Sequence, residues 1–387
     1  MSGPAFDAVR ATAIPGTAIG RPRLFLLGTG TVGTAFVARW QRLAQRGTPV
    51  PRFAALANSR CALECDGDVA GALRIASGAP RGVAVRHRAD GHGRDAVVHG
   101  PVSICTGVAA ARPGDIVVDA TASDGVAARH ADWLAHGVHV VTANKLGHGA
   151  DLLRAQSIAR AQRDGDAQYG DAATVGAGLP LLRSIRELVA GGDRIHAVEG
   201  VLSGSLAWLF DRFDGMRPFS GFAREARDAG YTEPDPRIDL SGEDVRRKLL
   251  ILARTAGLGL EAHEVQVDSL VPDDLAAARA EDVDARLASL DAPLRERFAS
   301  ARRQDARLRF IGRFAVAADG HCHASVGLRA LQVPHALCAG SGTDNRVAIW
   351  SDRYPDQPLL IQGPGAGANV TAAALADDVL RIAKECA

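Results

Sequence analysis

The chain alternates short apolar runs with amphipathic stretches, and the clearest example lies near its beginning. Four apolar residues start at Leu24, and a glycine-rich turn over 28–33 and an amphipathic stretch over 34–45 follow them. This order predicts a buried strand, a tight turn and a helix. Alternation of strands with helices is typical of α/β proteins that contain a doubly wound parallel sheet. Three further strands, at 53–57, 116–120 and 138–142, and one further helix, at about 126–136, continue the alternation.

The remainder of the chain is patterned as a mixture of strands and helices without that regular alternation. A glycine-rich turn over 175–180 precedes a helix that Pro180 opens, because proline suits the first position of a helix. A second glycine-rich loop over 363–371 leads into a final helix. With 387 residues, the chain is expected to form two or three domains. In this part, strands are predicted at 195–201, 307–316 and 321–328. Helices are predicted at 206–213 and within 276–301.

The turn over 28–33 reads Gly-Thr-Gly-Thr-Val-Gly and lies between a predicted strand and a predicted helix. In this setting the glycines allow a tight turn and let a dinucleotide pyrophosphate approach the helix N-terminus. The alternative is a structural turn in another kind of α/β unit. The next strand ends at Asn58, Ser59 and Arg60, and the first acidic residue is Glu64. Because an NAD site has an acid at this strand end, Arg60 favours the 2′-phosphate of NADP, unless it is a solvated loop arginine.

Polar residues follow two further predicted strands. One strand end carries Asp119, Thr121 and Ser123, and the other carries Asn144 and Lys145. Ligands of doubly wound sheets bind at the carboxyl ends of the strands, so both segments are expected to face cofactor and substrate. Lysine gives up its proton more readily than arginine, which leaves open both a catalytic role and a surface charge for Lys145. Only three of the 45 basic residues are lysines, at positions 145, 248 and 384.

The segment 230–248 carries the densest chemistry of the chain. Two prolines forbid a helix around Glu233, so this acid is expected on a rigid extended loop. Ser241, three residues before Asp244, predicts a capping box that begins a helix. Asp244 and Lys248 are then four residues apart on one helix face. Such a pair is usually a surface ion pair, but a carboxylate beside a lysine also orients it for proton transfer or binds a substrate ammonium.

The composition excludes several classes of protein. Apolar residues make up 47% of the chain and charged residues 23%, as in ordinary globular proteins, and the net charge is +1. A balanced chain has no electrostatic bias toward nucleic acid or an anionic membrane, and no apolar run approaches the roughly 18 residues of a spanning helix. The first 21 residues lack the apolar core of a signal peptide, and six cysteines without paired CxxC motifs favour reduced thiols. The expectation is a cytoplasmic protein that binds neither nucleic acid nor a membrane.

Several long motifs in one order make the chain resemble the homoserine dehydrogenases. The resemblance is close to the dehydrogenase module of the bifunctional aspartokinase–homoserine dehydrogenases, and the chain is expected to lack their kinase domain and a regulatory domain. It implies interconversion of L-homoserine and L-aspartate 4-semialdehyde with NAD(P), in threonine and methionine biosynthesis. It spans nearly the whole chain and rests on the segments 142–145, 175–180, 203–205, 230–248 and 363–371.

The resemblance also implies roles for individual residues. Lys248 and Lys145 match lysines at the reacting oxygen, with Lys248 as proton donor and acceptor and Lys145 also contacting the cofactor. Asp244 is placed with them in the catalytic group, and it also binds substrate together with Glu233, Asp239 and Gly204. The scarcity of lysine supports the two lysine roles independently of the family. The implied nucleotide contacts, beside Arg60, are Gly28, Thr29, Gly30, Thr31, Val32, Gly33, Thr121, Ser123, Gly230, Gly365 and Gly367.

The family commonly binds a monovalent cation, Na⁺ or K⁺, through a glutamate and nearby carbonyl groups. The position of that glutamate is Ala172 here, with Asp171 beside it. The carbonyls of Val175, Ala177 and Leu179 are what remains for such a site, so the departure puts cation binding in doubt.

The implied architecture is an α/β protein in which a mixed catalytic and dimerisation domain is inserted into a Rossmann domain, and the chain is expected to form a homodimer. One alternative is another NADP oxidoreductase on this fold, such as a semialdehyde dehydrogenase. That chemistry needs a cysteine nucleophile beside a base, and none of the six cysteines has that setting. The other alternative is a nucleotide-binding homologue without turnover, against which the joint presence of the lysines and acids argues. The predicted NAD(P)-binding domain covers residues 1–165, and the predicted catalytic and dimerisation domain covers 166–355. A C-terminal segment, 356–387, is predicted to return to the first domain.

Overall fold

The computed structural model describes residues 21–65, 67–78, 83–86, 96–99 and 104–386, and the first 20 residues, in which no signal peptide is predicted, lie outside these ranges. The strands of the described part are β1 Arg23–Leu27, β2 Arg52–Ala57, β3 Ala62–Glu64, β4 Val83–Arg86, β5 Ala96–His99, β6 Ile116–Asp119, β7 His139–Thr142, β8 Tyr169–Gly170, β9 Ile195–Val201, β10 Val265–Val267, β11 Ala306–Val316, β12 Cys322–Gln332, β13 Asp344–Ser351 and β14 Leu359–Pro364. The α-helices are α1 Thr31–Gln45, α2 Val69–Gly78, α3 Asp124–Ala127, α4 His130–Ala135, α5 Leu152–Asp164, α6 Leu181–Ala190, α7 Gly204–Arg212, α8 Phe219–Asp228, α9 Arg237–Leu240, α10 Glu243–Thr255, α11 Asp273–Ala276, α12 Val283–Arg286, α13 Asp291–Arg303 and α14 Ala368–Glu385. Short 3₁₀ helices lie at Ile104–Val108, Ala172–Thr174, Ala262–Glu264, Ala280–Asp282 and Leu287–Leu290.

The N-terminal part folds around a six-stranded sheet in the order β3-β2-β1-β6-β7-β8. All neighbouring strands are parallel except β3, which pairs antiparallel with β2 at the edge. Successive side chains of a strand point to opposite faces, so Leu24 and Leu26 pack into one layer and Phe25 and Leu27 into the other. Both faces are therefore covered, which explains why this strand is an uninterrupted apolar run. The predicted doubly wound parallel sheet is confirmed.

The last helix returns to this N-terminal sheet. Helix α14 packs beside α1, and its Leu375 and Val379 are fully buried in the same apolar cluster as Phe36 of α1 and Leu24 of β1. Burial of each such side chain contributes roughly 1.5–3 kcal/mol. The first domain is thus completed by the end of the chain.

The middle part folds around a second six-stranded sheet in the order β10-β12-β11-β9-β13-β14. Its strands are antiparallel apart from the pairing of β10 with β12. Phe310 and Phe314 of β11 point to one face, where they pack against Val245 and Leu249 of α10 in the largest apolar cluster. Helix α10, which carries Asp244 and Lys248, is therefore fixed to the sheet by its apolar side.

Two local predictions were wrong in detail. The single helix expected over about 126–136 is two short helices, α3 and α4, and the capping box expected at Ser241 does not form. The residue that precedes α10 is Gly242, whose φ of 79° is left-handed. A Cβ atom there would lie only 2.9 Å from Cζ of Phe310. The hydroxyl of Ser241 instead donates to the carbonyl of Ile238 and accepts from the N–H of Glu243.

The chain leaves the first sheet after β8, which ends at Gly170, and leaves the second sheet after β14, which ends at Pro364. None of the helices in the described ranges combines the length and apolarity that crossing a bilayer requires.

Candidate active site

A carboxylate joins two of the three lysines where the two domains meet. The Oδ2 atom of Asp244 lies 2.8 Å from Nζ of Lys248, one helical turn further along α10. Its Oδ1 atom lies 3.3 Å from Nζ of Lys145, which follows β7 of the first sheet. Lys384, in contrast, is exposed in the last turn of α14. The structure therefore brings together the two lysines and the acid that were predicted to be catalytic.

Lys248 is buried, with 8% of its surface exposed. Its ammonium donates to the carbonyl of Leu202 at 2.8 Å as well as to Asp244. An ammonium has three N–H donors, and two of these have acceptors in the described part of the chain. The third is left for the oxygen of a bound ligand.

The charge of the Asp244 carboxylate is maintained by its neighbours. Burial alone would raise the pKa of this carboxyl, but the positive charges of Lys248 and Lys145 outweigh burial and hold the pKa well below its usual value. Asp244 also lies in the first turn of α10, where the helix dipole favours a negative charge. The carboxylate consequently stays ionised at neutral pH.

A second acid, Asp239, ties the proline-rich loop to the start of α7. Its Oδ1 accepts from the hydroxyl of Ser205 at 2.6 Å, and its Oδ2 accepts from the backbone N–H of Glu233 at 2.9 Å. The hydroxyls of Ser205 and Ser203 lie 2.9 Å apart, and Ser203 caps α7. A Cβ atom at Gly204 would lie 3.1 Å from the carbonyl oxygen of Thr343, so the two chain segments approach each other closely at this glycine. The exposed Glu233 side chain is thereby held on a loop whose backbone is fixed.

The glycine turn before α1 has the shape that a dinucleotide requires. A Cβ atom at Gly28, where φ is 96°, would lie 2.7 Å from the Ala120 carbonyl, and one at Gly33 would lie 1.9 Å from the Gly28 carbonyl. Gly30 has nothing within 4 Å of its Cβ position, and no side chain caps α1 there. Two glycines therefore serve chain packing, while the third leaves open space at an uncapped helix N-terminus that suits a pyrophosphate. The residues present fit the cofactor.

The end of β2 is fastened to this glycine turn by Asn58. Its amide donates to the hydroxyl of Thr29 at 2.8 Å, and its Oδ1 accepts from the N–H groups of Arg60 and Cys61 at 2.7 and 2.9 Å. Asn58 thus fixes the backbone from which the partly exposed Arg60 side chain extends. The sequence identified Asn58 as a polar residue at this strand end, but its hydrogen bond to Thr29 could not be predicted from the pattern.

A buried polar network lies beneath the ends of β6 and β7. Asp119 is fully buried, and its Oδ1 accepts from the hydroxyl of Thr121 at 2.6 Å. Its Oδ2 accepts from the amide of Asn144 and lies 3.0 Å from Nε2 of His130. The other ring nitrogen of His130 lies 3.0 Å from the hydroxyl of Tyr169, and burial raises the pKa of that phenol. Since a carboxylate only accepts, Nε2 of His130 is the donor in its contact with Asp119.

This network sets the residues that were predicted to face the cofactor. Thr121 is held by Asp119, and Asn144, which immediately precedes Lys145, also donates to the carbonyl of Ser123 at 2.9 Å. The Ser123 hydroxyl accepts from the Val126 N–H and caps α3, so it is engaged by the protein itself. Sequence reasoning missed the roles of His130 and Tyr169, which lie 39 residues apart.

The segment proposed for a monovalent cation contains a salt bridge instead of a free acid. Arg186 donates to Oδ1 of Asp171 at 2.6 Å, and Nδ1 of His148 lies 2.9 Å from Oδ2. Burial would raise the pKa of Asp171, but Arg186 and His148 hold it well below its usual value. Both carboxylate oxygens are engaged, and the Leu179 carbonyl already accepts from the N–H of Leu181. Asp171 therefore does not replace the glutamate that is missing at Ala172.

The second glycine-rich loop begins α14 beside the catalytic sheet. Gly367, with a φ of 117°, precedes the helix, and no side chain caps it. Gly365 is buried against Asn345, and Gly178 of the earlier glycine turn lies 3.5 Å, measured from its Cβ position, from the Val370 carbonyl. The loop thus lies between both domains, and its contact with a nucleotide stays a prediction. Gly230, also predicted to contact the nucleotide, adopts a φ of 73° at the end of α8, next to the proline-rich loop.

A dinucleotide turn in the first domain and a lysine–carboxylate cluster that joins the two domains are the features of an NAD(P)-dependent oxidoreductase. Family models agree with this class of protein. Residues 28–169 match the NAD-binding domain of homoserine dehydrogenase, and residues 180–380 match homoserine dehydrogenase itself. The chain belongs to the homoserine dehydrogenase family.

Relatives of known identity support this membership. A homoserine dehydrogenase from Emericella nidulans is 36% identical over 293 residues, which cover 73% of this chain and 79% of the relative. The chloroplastic bifunctional aspartokinase/homoserine dehydrogenase 1 of Zea mays is 43% identical over 271 residues, which cover 70% of this chain. The match spans only 29% of the maize protein, so it concerns one part of a longer enzyme.

Solved structures share the fold over almost the whole chain. A Candida auris protein of unknown function is 32% identical, with a TM-score of 0.79, and the match covers 94% of this chain and 98% of that one. A hyperthermophilic archaeal homoserine dehydrogenase in complex with NADPH has a TM-score of 0.69 at 19% identity, with coverage of 94% and 98%. At that identity the second likeness supports the fold alone.

Proposed function

We propose that this chain interconverts L-homoserine and L-aspartate 4-semialdehyde by hydride transfer with NADP(H). The observation that carries the proposal is the Asp244 carboxylate, which binds Lys248 of the catalytic domain and Lys145 beside the cofactor-binding strands. Proton transfer has to occur where substrate and cofactor meet, and this cluster lies between the two domains. Family membership supplies the substrate.

Lys248 is the proposed proton acceptor. In the oxidation, neutral Lys248 takes the hydroxyl proton of the substrate through Nζ, and in the reduction the ammonium returns that proton to the carbonyl oxygen. The nicotinamide, when bound, accepts or supplies the hydride. Asp244 and the carbonyl of Leu202 orient Nζ and leave one N–H position for the substrate oxygen. Lys145 places a second positive charge beside the oxygen on which negative charge develops.

The binding of the substrate ammonium is assigned to the proline-rich loop that carries Glu233. Glu233 has an exposed carboxylate, and its backbone is fixed by Asp239, whose two oxygens are occupied by Ser205 and by Glu233 itself. Glu233 is therefore the charge that binds the ammonium, and Asp239 positions it. Asp244 adds a second negative charge on the side of Lys248, and Gly204 lets the substrate approach the start of α7.

We further propose that NADP is preferred to NAD, because Arg60 and the absence of an acid at the end of β2 suit a 2′-phosphate. The cofactor contacts remain those predicted at the two glycine-rich loops, with Thr121 and Lys145.

A cytoplasmic homodimer is the proposed state of the protein. The face of the second sheet turned away from its helices carries Trp350, which is partly buried, and Leu360, which is 38% exposed. Aromatic and aliphatic side chains of this kind are typical of the centre of subunit interfaces.

The test is a spectrophotometric assay of NADP reduction with L-homoserine, in parallel with NAD and with 4-hydroxybutanoate, which lacks the ammonium. We expect turnover with L-homoserine and NADP, and a kcat/KM at least about 100-fold lower with 4-hydroxybutanoate, because the acids then lose their partner. Cofactor binding without any turnover would instead identify an inactive nucleotide-binding homologue. Equal rates with both alcohols would contradict the role given to Glu233.

A further inference from the structure

Asn345 is buried between two segments of the active site that belong to different parts of the chain. It lies near the start of β13, is 1% exposed and pairs with Gly363 across the ladder to β14. Its side-chain amide donates to the carbonyl of Val201, the last residue of β9, at 2.9 Å. A buried amide of this kind normally satisfies a structural need that cannot be met by water.

The other end of the same side chain is pressed against the second glycine-rich loop. A Cβ atom added to Gly365 would lie 1.4 Å from Oδ1 of Asn345 and 2.1 Å from its Cγ atom. Only glycine fits beside this amide, so the backbone of the loop rests directly on Asn345. The side chain therefore touches both the end of β9 and the loop before α14.

One of these two segments leads to the proton-transferring lysine, and the other leads to the nucleotide-binding domain. Val201 is followed by Leu202, whose carbonyl accepts from Nζ of Lys248 at 2.8 Å. Gly365 leads to Gly367 and the uncapped N-terminus of α14, the helix that packs beside α1 of the nucleotide-binding domain. A shift of one segment relative to the other would change the distance between the proton-transferring lysine and the bound cofactor.

We propose that Asn345 is a positioning residue that fixes the nucleotide-facing loop, 363–367, relative to the carbonyl that orients Lys248. It touches neither proton nor hydride, and it acts through Val201 and Gly365. The inference rests on the proposed function for its catalytic consequence, but the coupling between the two segments is a property of the protein alone.

The experiment compares Asn345→Ala with Ser351→Ala in the full chain. Ser351 is the control because it lies at the other end of β13, is fully buried and loses its hydrogen bonds when truncated, one donated to Asp193 and one accepted from the N–H of Arg353. Hydrogen exchange of the segment 363–370 is measured in the free protein, together with the Kd for NADPH and NADH and the kcat with L-homoserine.

We expect Asn345→Ala to speed exchange of 363–370 by about 5- to 10-fold, the effect of one net hydrogen bond, and to raise the cofactor Kd and lower kcat by similar factors. Ser351→Ala should lower the melting temperature comparably and leave all three quantities within about 2-fold. Asn345→Ser, which keeps a short donor, should give values between those of the wild type and Asn345→Ala, and it replaces Asn345→Ala if that variant does not fold.

Equal changes in hydrogen exchange, cofactor Kd and kcat in the Asn345 and Ser351 variants would overturn the proposal, because the loss of any buried structural side chain would then explain them. If the wild type binds NADPH but does not oxidise L-homoserine, the proposed function fails. Exchange rates and cofactor affinity still decide the role of Asn345 in that case.

Discussion

The carboxylate of Asp244 lies 2.8 Å from the ammonium of Lys248, one turn along the same helix, and 3.3 Å from that of Lys145 in the other domain. Replacing Asp244 with asparagine should lower kcat/KM for L-homoserine at least about 100-fold, because two ammonium groups lose their counter-charge together. Glu243→Gln is the matched control. That residue precedes Asp244 in the same turn and pairs only with Arg246 among the described residues, so steady-state kinetics should change less than about 2-fold.

The same pair makes a prediction about pH. Because the folded-state pKa of Asp244 lies below the unfolded value of about 3.9, its ionised form stabilises the fold above that pH, and this contribution is lost as pH falls toward the folded pKa. The difference in free energy of unfolding between the wild type and Asp244→Asn should therefore be constant near neutral pH and shrink below about pH 4. Urea unfolding at several pH values measures it, and a difference that grew on acidification would contradict the assigned ion pairs.

Cofactor preference should depend on Arg60. Arg60→Ala removes the positive charge proposed to bind the 2′-phosphate, so the KM for NADP is expected to rise about 10-fold while that for NAD changes little. Arg52→Ala, at the opposite end of the same strand, controls for a general loss of charge. Equal effects of Arg60→Ala on both cofactors would contradict a contact with the 2′-phosphate, and no effect on either would assign the arginine to solvent.

The glycines of the first turn should separate stability from cofactor affinity. Gly33→Ala places a Cβ atom 1.9 Å from the Gly28 carbonyl and should destabilise the protein by about 1–3 kcal/mol. Gly30→Ala enters open space and should leave the free energy of unfolding within about 1 kcal/mol, while it weakens NADPH binding about 10-fold. Denaturant unfolding and fluorescence titration test both statements. Tight NADPH binding by Gly30→Ala would show that the pyrophosphate does not bind at Gly30.

Turnover should not depend on Na⁺ or K⁺. Ala172 offers no side-chain ligand, and Asp171 is held by Arg186 and His148. The assay in tetramethylammonium buffers should therefore give kcat and KM within about 2-fold of those in NaCl or KCl at equal ionic strength. Activation by either metal ion, restored at low concentration, would show that the carbonyls of the 175–179 turn suffice.

The sequence was most informative where an interaction is local. Asp244 and Lys248 are four residues apart on a helix, so their contact follows from helix geometry, and the strand–turn–helix around the first glycines follows from periodicity. Lys145 was placed at a strand end, but its approach to Asp244 depends on how the two domains pack. The capping box does not form because Gly242 and not Ser241 precedes the helix, and Phe310, 68 positions away, crowds the position of a Cβ atom there.

Long-range polar contacts were the part that pattern reading could not reach. The link between His130 and Tyr169 and that between Asn345 and Val201 join residues that are 39 and 144 positions apart. Neither pair has a charge or a spacing that distinguishes it from ordinary polar residues, and burial becomes visible only in the folded chain.

The most direct test of the account is the turnover of Lys248→Arg measured beside Lys384→Arg. Both variants keep the positive charge, but arginine does not exchange a proton at neutral pH, and Lys384 is exposed at the end of α14. We expect Lys248→Arg to lower kcat for L-homoserine by about 10²- to 10⁴-fold with NADPH binding retained, and Lys384→Arg to be indistinguishable from the wild type. A kcat of Lys248→Arg within about 3-fold of the wild type would contradict proton transfer by this lysine.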